Sequence, residues 1–171
     1  WLLIIIVIYI ILKKYKIFDF ENFLLPFYKK LFIIFFIFLI SEVFIGIIPP
    51  ELFMIWATHY NNFLLYFSII ILFSTISYFA GIIGYYTGKY LNSTIFFRYI
   101  KRRFLNKLDK YMHEFGMYII ILSAMTPLPF SGTSMLIGSS GYSFKRYLIF
   151  SLSRYVRFII YSLFVWEATI L

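Results

Sequence analysis

Residues Phe63–Gly88 form an uninterrupted run of 26 residues that contains no charged side chain. About 20 apolar residues are enough to carry an α-helix across the hydrocarbon core of a bilayer. Over the whole chain 63% of the residues are hydrophobic and only 13% are charged, whereas soluble domains carry about 25% charged residues. The sequence therefore predicts an all-α integral membrane protein, organised as a single membrane domain over residues 1–171.

A second apolar stretch, at about 147–166, carries two arginines near its middle, Arg154 and Arg157. In a helix that begins at Tyr147 they lie about 10 Å and about 15 Å from its start. A charge at that depth costs roughly 2.5–3.5 kcal/mol and normally faces a partner or a wet cavity. The alternative is that both side chains snorkel to an interface. The planar fork of arginine suits phosphate and carboxylate, so we expect an anionic headgroup or an acidic side chain as the partner.

The apolar segment 31–57 is interrupted by Gly46 and by the pair Pro49-Pro50. Proline lacks a backbone donor, and the residue before it avoids helical geometry. A helix should therefore break at about Gly46–Pro50, at membrane depth. Broken backbone is tolerated there only when it is buried in protein or lines a water-filled cavity. We expect 31–57 to form a first re-entrant hairpin.

The segment 117–137 has the same form, because Pro127 and Pro129 interrupt its apolar run. The basic stretches on either side of it, 89–116 and Lys145-Arg146, should both be cytoplasmic. The segment must then leave and return on the same side, as a second re-entrant hairpin. Paired interrupted segments are the best sequence pointer to the binding site of a transporter, so we assign Pro127 and Pro129 to a substrate site together with the two arginines.

Two acids, Glu42 and Glu51, lie in hydrophobic sequence on opposite sides of the first break. One interpretation is that they pair with Arg154 and Arg157 and are purely structural. The other is that they couple transport to protons by titrating. Glu51 follows two prolines, which is also the position of an acid that stabilises a helix start. Glu42 is therefore the better candidate for a proton carrier.

Three further segments predict contact with the membrane surface. The apolar run Trp1–Leu12 is interpreted as a truncated transmembrane helix, and Lys13–Lys30 as a helix in the headgroup region. The pattern of residues 98–115 predicts an amphipathic helix, with six basic residues between Arg98 and Lys110. Because this basic run lies between membrane segments, we expect membrane lipids with anionic headgroups as partners and no nucleic acid.

Five small residues recur along the uncharged run at steps of three or four: Ser74, Ser77, Gly81, Gly84 and Gly88. On a helix they fall within about an 80° arc. Such a stripe lets a second helix approach closely. We interpret it as a packing surface for a neighbouring helix.

The sequence offers no enzyme site. There is no cysteine, and His59 and His113 lie in polar or interfacial stretches without metal-ligand spacing. The glycines of the long span follow no strand, so they form no phosphate loop. We predict no catalytic residue, no metal and no cofactor.

Several short motifs occur in a fixed order along 40–166. In chain order they are Ser41-Glu42, Pro49-Pro50-Glu51, Gly81, Gly84-Tyr85-Tyr86-Thr87-Gly88-Lys89, Phe115-Gly116, Pro127-x-Pro129, Gly132, Met135, Gly138, Phe144-Lys145-Arg146-Tyr147 and Arg154-x-x-Arg157-Phe158. This order resembles the DedA/VTT family of membrane proteins, also called SNARE-associated-like.

The resemblance implies a fold of two re-entrant hairpins packed against transmembrane helices. It also implies movement of phospholipids or polyprenyl-phosphate carriers between leaflets, in some members coupled to protons, with Glu42 or Glu51 as the hairpin acid. Many bacterial members carry an Arg-x-x-Pro-x-x-Arg hairpin, and this chain has Ala124, Pro127 and Phe130 at those positions. Arg154 and Arg157 are candidates to replace the missing hairpin arginines.

The function expected on these grounds is a lipid translocase or scramblase in a bacterial cytoplasmic membrane, with a homo-oligomer left open. Two alternatives use the same charges. One is a proton-coupled transporter of a small solute, which needs an enclosed aqueous vestibule instead of a lateral opening. The other is a non-transporting membrane scaffold in which the acids simply neutralise the arginines.

Overall fold

The structure, a computed structural model, describes residues 30–44, 46, 48–94, 106–126 and 128–170. Several predicted features lie outside the described residues: the terminal span Trp1–Leu12, all of the headgroup helix except Lys30, the first part of the basic helix at 98–105, and Pro127.

The described residues form α-helices and short connections, with no strand among them. The helices are α1 Leu31–Val43, α2 Pro50–Ala57, α3 Phe63–Leu91, α4 Asn106–Met125, α5 Phe130–Ser139, α6 Phe144–Ser151 and α7 Ser153–Ile170. The predicted all-α class is confirmed for this part of the chain.

Two of the helical segments are long and apolar enough to cross a membrane. The first is α3, with 29 residues, and it contains the predicted span 63–88. The second is the 25-residue segment Phe144–Ala168, made of α6 and α7, and it contains the predicted span 147–166. Only Leu152 separates α6 from α7, and its amide still bonds to the carbonyl of Ile149 at 3.3 Å.

The first interruption separates α1 from α2. Gly46 there has a φ of +64°, in the left-handed region that glycine adopts without steric cost. Ser41 closes the connection from both sides: its hydroxyl oxygen accepts from the amide of Ile48 at 2.8 Å, and its carbonyl accepts from the amide of Gly46 at 2.7 Å. Pro50 is then the first residue of α2, where its fixed φ suits a helix start. The break lies where the glycine and the prolines predicted it.

The second interruption separates α4 from α5. Helix α4 ends at Met125 and α5 begins at Phe130, directly after Pro129. The segment 117–137 is therefore not one continuous helix. With 13, 8 and 10 residues, helices α1, α2 and α5 are each shorter than the roughly 20 residues that a full crossing needs.

The backbones of α3 and α5 are in direct contact along the small-residue stripe. A Cβ atom placed on Gly84 would lie 2.7 Å from the carbonyl oxygen of Ser131, and one on Gly88 would overlap the carbonyl of Met135. From the other side, a Cβ on Gly138 would overlap the carbonyl of Tyr85. The predicted packing surface is confirmed at Gly84 and Gly88, where its partner is α5.

Aromatic rings hold α1, α2, α3 and α7 together. The ring of Phe38 is fully buried and lies 4.6 Å from that of Phe73, 4.9 Å from Phe53 and 6.4 Å from Phe158, measured between centroids. Offset and edge-to-face pairs at such distances add to the energy of burial. This cluster fixes the ends of α1 and α2 against the two long helices.

Candidate functional site

Glu42, Ser77 and Arg154 form a closed polar contact between α1, α3 and α7. Arg154 Nη2 donates to Glu42 Oε2 at 2.6 Å. Its Nε–H donates to the hydroxyl of Ser77, and that hydroxyl donates to the same carboxylate oxygen of Glu42. Each member thus contacts the other two.

Arg157 joins both helix interruptions. Its Nη2 donates to Glu51 Oε1 at 2.8 Å, in the first turn of α2. Its Nη1 donates to the carbonyl oxygen of Thr126 at 2.5 Å, just after the end of α4. One side chain on α7 therefore ties the start of α2 to the end of α4.

The four charged side chains are almost completely withdrawn from solvent. Arg154 and Arg157 are each 3% exposed, Glu42 2% and Glu51 0%. A buried charge without a partner is strongly destabilising, so each arginine needs its carboxylate. With two cations and two anions the group has no net formal charge.

The two carboxylates occupy opposite ends of their helices. Glu51 lies in the first turn of α2, where the helix dipole favours a negative charge. Glu42 lies in the last turn of α1, where the dipole disfavours it. Glu42 therefore depends more heavily on its hydrogen-bonded cation than Glu51 does.

Aromatic faces cover both guanidinium groups. The Cζ atom of Arg154 lies 4.5 Å from the ring centroid of Phe130 and 5.6 Å from that of Phe158. The Cζ of Arg157 lies 5.0 Å from the ring centroid of Tyr161. These are cation–π distances, and they help to hold the arginines in a largely apolar interior.

A cavity of about 150 Å³ opens beside the charges, between the two interruptions. Its lining residues are Glu42, Gly46, Pro49, Pro50, Glu51, Leu128, Pro129, Phe130, Arg154 and Arg157. Since a water molecule needs only about 10–15 Å³ of such volume, the cavity is large enough for several waters or for a small polar group.

Three polar atoms of the charged group have no hydrogen-bond partner among the described residues: Arg154 Nη1, Glu42 Oε1 and Glu51 Oε2. The other nitrogens of Arg154, both terminal nitrogens of Arg157 and the second oxygen of each carboxylate all form hydrogen bonds. The unpaired atoms belong to three of the residues that line the cavity. Buried polar atoms are normally satisfied, so these three atoms are exceptions among the polar atoms of the described residues.

The structure brings together most of the residues singled out from sequence. The same cavity is lined by Glu42, Glu51, Arg154, Arg157 and Pro129. The proposed pairing of acids with arginines is observed, whereas the roles in substrate binding and in proton coupling stay predictions.

Sequence reasoning missed three contributors. The small-residue stripe assigns Ser77 to helix packing alone, and the resemblance to the family marks Phe130 only as a position where the hairpin arginine is absent. The carbonyl of Thr126 belongs to the backbone, so no residue type in the sequence indicates its contact with Arg157. For Ser77 the sequence offers one indication, a hydroxyl group on the small-residue stripe of an uncharged span.

The described residues contain no group of three or more His, Cys, Asp or Glu side chains that could hold a metal ion. His59 lies in the 3-10 turn Thr58–Tyr60 that follows α2, and is not among the lining residues of the cavity.

The described residues are helical and include two segments long enough and apolar enough to cross a membrane. Two buried ion pairs lie at the helix interruptions. These features are those of a helical membrane protein with charged side chains in its interior. The model of the VTT domain matches residues 31–167. The chain therefore belongs to the VTT domain family, which is the DedA/SNARE-associated Golgi protein family. That family is membrane-associated, is generally linked to transport or lipid-related function, and is not known as an enzyme family. Comparison with curated proteins and with solved structures found no match.

Proposed function

We propose that this protein moves a lipid with a phosphate headgroup, a phospholipid or a polyprenyl phosphate, between the leaflets of the membrane in which it lies. The observation that carries the proposal is Arg154 Nη1, a buried guanidinium nitrogen without a partner on a side chain that lines a cavity. Guanidinium groups bind phosphate through charge-assisted hydrogen bonds.

The interrupted helices suit a path for a headgroup. Helices α1, α2 and α5 are too short to span, so we place α1–α2 and α4–α5 in the membrane as re-entrant hairpins whose tips meet at the cavity. Backbone breaks at membrane depth need a polar or protein-filled surrounding, and the ion pairs supply it. A lateral opening between the hairpins would let the acyl tails stay in lipid.

Large apolar side chains on the outside of the described helices support this arrangement. Phe32 and Phe36 of α1, Phe79 of α3, Leu122 of α4 and Phe164 of α7 are all more than half exposed. Such a surface is unfavourable in water and suits contact with acyl chains.

In this mechanism the phosphate competes with Glu42 for Arg154. Because the helix dipole disfavours a negative charge at the position of Glu42, Glu42 is the acid to which we assign proton uptake. A proton taken up by the released carboxylate would couple lipid movement to the proton gradient. We place the protein in a bacterial cytoplasmic membrane. Its partners in this proposal are membrane lipids, and a second copy of the chain in a homo-oligomer is compatible with it.

One observation favours the scaffold as a second candidate. Both arginines already have a carboxylate partner, and two closed ion pairs stabilise a fold without any transport. A scaffold requires neither the unpaired polar atoms nor the cavity, so these two features favour lipid movement.

A liposome assay separates the two. The purified chain is reconstituted with phospholipids that carry a fluorophore on one acyl chain, and the label in the outer leaflet is destroyed with dithionite. Lipid movement faster than in protein-free vesicles is expected, with at least about a tenfold loss in Arg154→Gln, because a charge-assisted contact of about 1.5–3 kcal/mol is removed. Arg146→Gln, at an exposed position of α6, is the matched control and should leave the rate unchanged. A wild-type rate equal to that of empty vesicles would favour the scaffold.

A further inference from the structure

The second candidate span, Phe144–Ala168, is broken near its centre, between α6 and α7. Leu152 lies between the two helices, and its amide bonds to the carbonyl of Ile149, three residues back instead of four. The second span contains no proline and no glycine, so this break differs in origin from the two interruptions that border the cavity. A bend without these residues needs another identifiable cause.

The cause lies in two serines, one on each side of Leu152. Ser151 Oγ donates to the carbonyl of Leu148 at 3.0 Å, and Ser153 Oγ donates to that of Phe150 at 2.7 Å. Serine hydroxyls that bond back to their own helix often bend it. They also provide donors for carbonyls that a break leaves unsatisfied at membrane depth. Because both bonds stay within the second span, they are kept when the bend angle changes.

Both ends of the second span are fastened to α3. Near its start, the rings of Tyr85 and Tyr147 stack with their centroids 4.8 Å apart. Near its far end, the Tyr66 hydroxyl donates to the carbonyl of Ser162 at 2.9 Å, and the ring of Trp166 lies 5.0 Å from that of Tyr66. Helix α3 is continuous over its 29 residues, so it holds these two points at a fixed separation.

Two hydroxyl contacts join the centre of the second span to α3, one on each side of the break, and we call them the latch. Before the break, the Tyr78 hydroxyl donates to the carbonyl of Leu148 at 3.3 Å. After it, the Tyr155 hydroxyl donates to Thr75 Oγ1 at 3.1 Å. The side chains of Thr75, Tyr78 and Tyr155 are half-buried, so the latch lies at the outer edge of the helix pair. These are the contacts that a change in the bend has to open.

We propose that the break at Leu152 is a joint, at which the centre of the second span bows away from α3 while both ends stay in place. The 25 residues of this span are about 37 Å long at about 1.5 Å per residue. A change of about 20° in the bend displaces the centre by about 3 Å and shortens the span by less than about 1 Å. Fixed ends and a moving centre are therefore compatible.

The displacement acts on Arg154, which lies two residues after Leu152. Its Nε–H donates to Ser77 of α3, and its Nη2 donates to Glu42. A shift of about 3 Å opens such bonds, because they need a donor–acceptor distance of about 2.7–3.2 Å. The joint thus lets the contact between Glu42, Ser77 and Arg154 open without unfolding of the chain. This inference concerns the motion of the second span and does not depend on what the cavity binds.

Dipolar EPR spectroscopy of nitroxide pairs in proteoliposomes measures this motion, since the chain has no cysteine of its own. A centre pair at the exposed positions Phe79 of α3 and Val156 of α7 reports the gap beside the joint. Two end pairs at exposed positions serve as references: Thr87 with Lys145, and Leu64 with Glu167. The centre pair should give a broader distance distribution than either end pair. Equal widths for the three pairs would overturn the joint.

Variants of the latch give the sharper test. Tyr78→Phe combined with Tyr155→Phe removes both hydroxyls and keeps both rings. The mean distance of the centre pair should then increase by about 3 Å, and that of each end pair by less than about 1 Å. Tyr66→Phe is the matched control, because it removes the same kind of bond at an end of the span, and it should leave the centre distance unchanged. An unchanged centre distance in the latch variant, or an equal increase in all three pairs, would overturn the proposal.

A second variant keeps the test available if the latch variant does not fold. Ser151→Ala combined with Ser153→Ala removes the hydroxyls that satisfy the break, so the span should straighten and the distribution of the centre pair should become narrower. Ser162→Ala is the matched control, since Ser162 is as fully buried as Ser151 and forms the same bond, to the carbonyl of Ile159 at 2.8 Å. Equal widths for the double variant and this control would overturn the joint.

Discussion

Arg154 and Arg157 lie three residues apart on one helix and are equally buried, yet their surroundings differ. Arg157 uses both terminal nitrogens on protein atoms, in α2 and at the end of α4. Arg154 uses Nε and one terminal nitrogen and keeps the other free. Arg157 is therefore suited to hold the two interruptions together, and Arg154 to bind a ligand.

Ser77 provides a direct test of the polar contact around Arg154. Ser77→Ala removes the acceptor of the arginine Nε–H and the donor to Glu42, and leaves buried polar groups unsatisfied. The expected loss in the free energy of unfolding is about 1–3 kcal/mol, measured as a lower melting temperature of the chain in detergent.

The matched control is Ser68→Ala on the same helix, where the hydroxyl is exposed and bonds to the carbonyl of Leu64. It should change the stability by no more than about 0.5 kcal/mol. Equal melting temperatures for the two variants would show that the contact between Ser77, Glu42 and Arg154 contributes nothing.

Among the helices, α3 and α5 form the most intimate pair. Backbone approaches backbone at Gly84 and Gly88 from one side and at Gly138 from the other. This contact fixes α5, and with it Pro129 and Phe130 at the edge of the cavity. The pairing of these two helices therefore sets one wall of the candidate site.

Gly88→Ala tests this packing, because it should lower the free energy of unfolding, whereas the same substitution usually raises it in a solvent-exposed helix. In an open helix, replacing glycine by alanine stabilises by about 0.8–1.0 kcal/mol. Here the new Cβ would overlap the carbonyl of Met135, so a destabilisation of about 1–3 kcal/mol is expected. The measurement is the melting temperature of each variant. We expect the largest decrease for Gly88→Ala, a smaller one for Gly84→Ala, and the smallest for the control Thr87→Ala, which is at an exposed position. A stabilised Gly88→Ala would contradict the close approach.

For the molecule as a whole, the arrangement in the membrane follows from helix lengths. Helix α3 is long enough to cross, so its two ends should lie on opposite sides. Helices α4 and α5 together form an interrupted segment whose ends we propose to lie on one side. The exposed apolar side chains would then face lipid all round.

The chain has no cysteine, so single-cysteine variants report sidedness without background. Cysteines at His59, Glu114 and Ser143, all exposed positions, are labelled in sealed vesicles with a membrane-impermeant maleimide. Glu114 and Ser143 should label from the same side and His59 from the other, because one full crossing separates His59 from the others. Labelling of Glu114 and Ser143 from opposite faces would show a complete crossing by 117–137 and would rule out the second hairpin.

Much of this architecture can be predicted from the sequence, because it depends on the chemistry of neighbouring residues. An uncharged run such as 63–88 dictates a long apolar helix, and Gly46, Pro49 and Pro50 dictate an interruption because their backbones do not continue one. Burial of Arg154 and Arg157 is likewise predictable, since charges in mid-span need partners. These inferences depend on residue type and spacing within a few turns.

Which atoms meet was settled by the folding of distant segments against one another. Glu42 and Arg154 are 112 residues apart, and no local rule pairs Glu42 with Arg154 instead of Arg157. Ser77 looks like a packing residue until α1 and α7 approach it, and the carbonyl of Thr126 is exposed for bonding only because α4 ends there. The nitrogen of Arg154 and the oxygens of Glu42 and Glu51 that stay unpaired result from this three-dimensional matching of donors with acceptors.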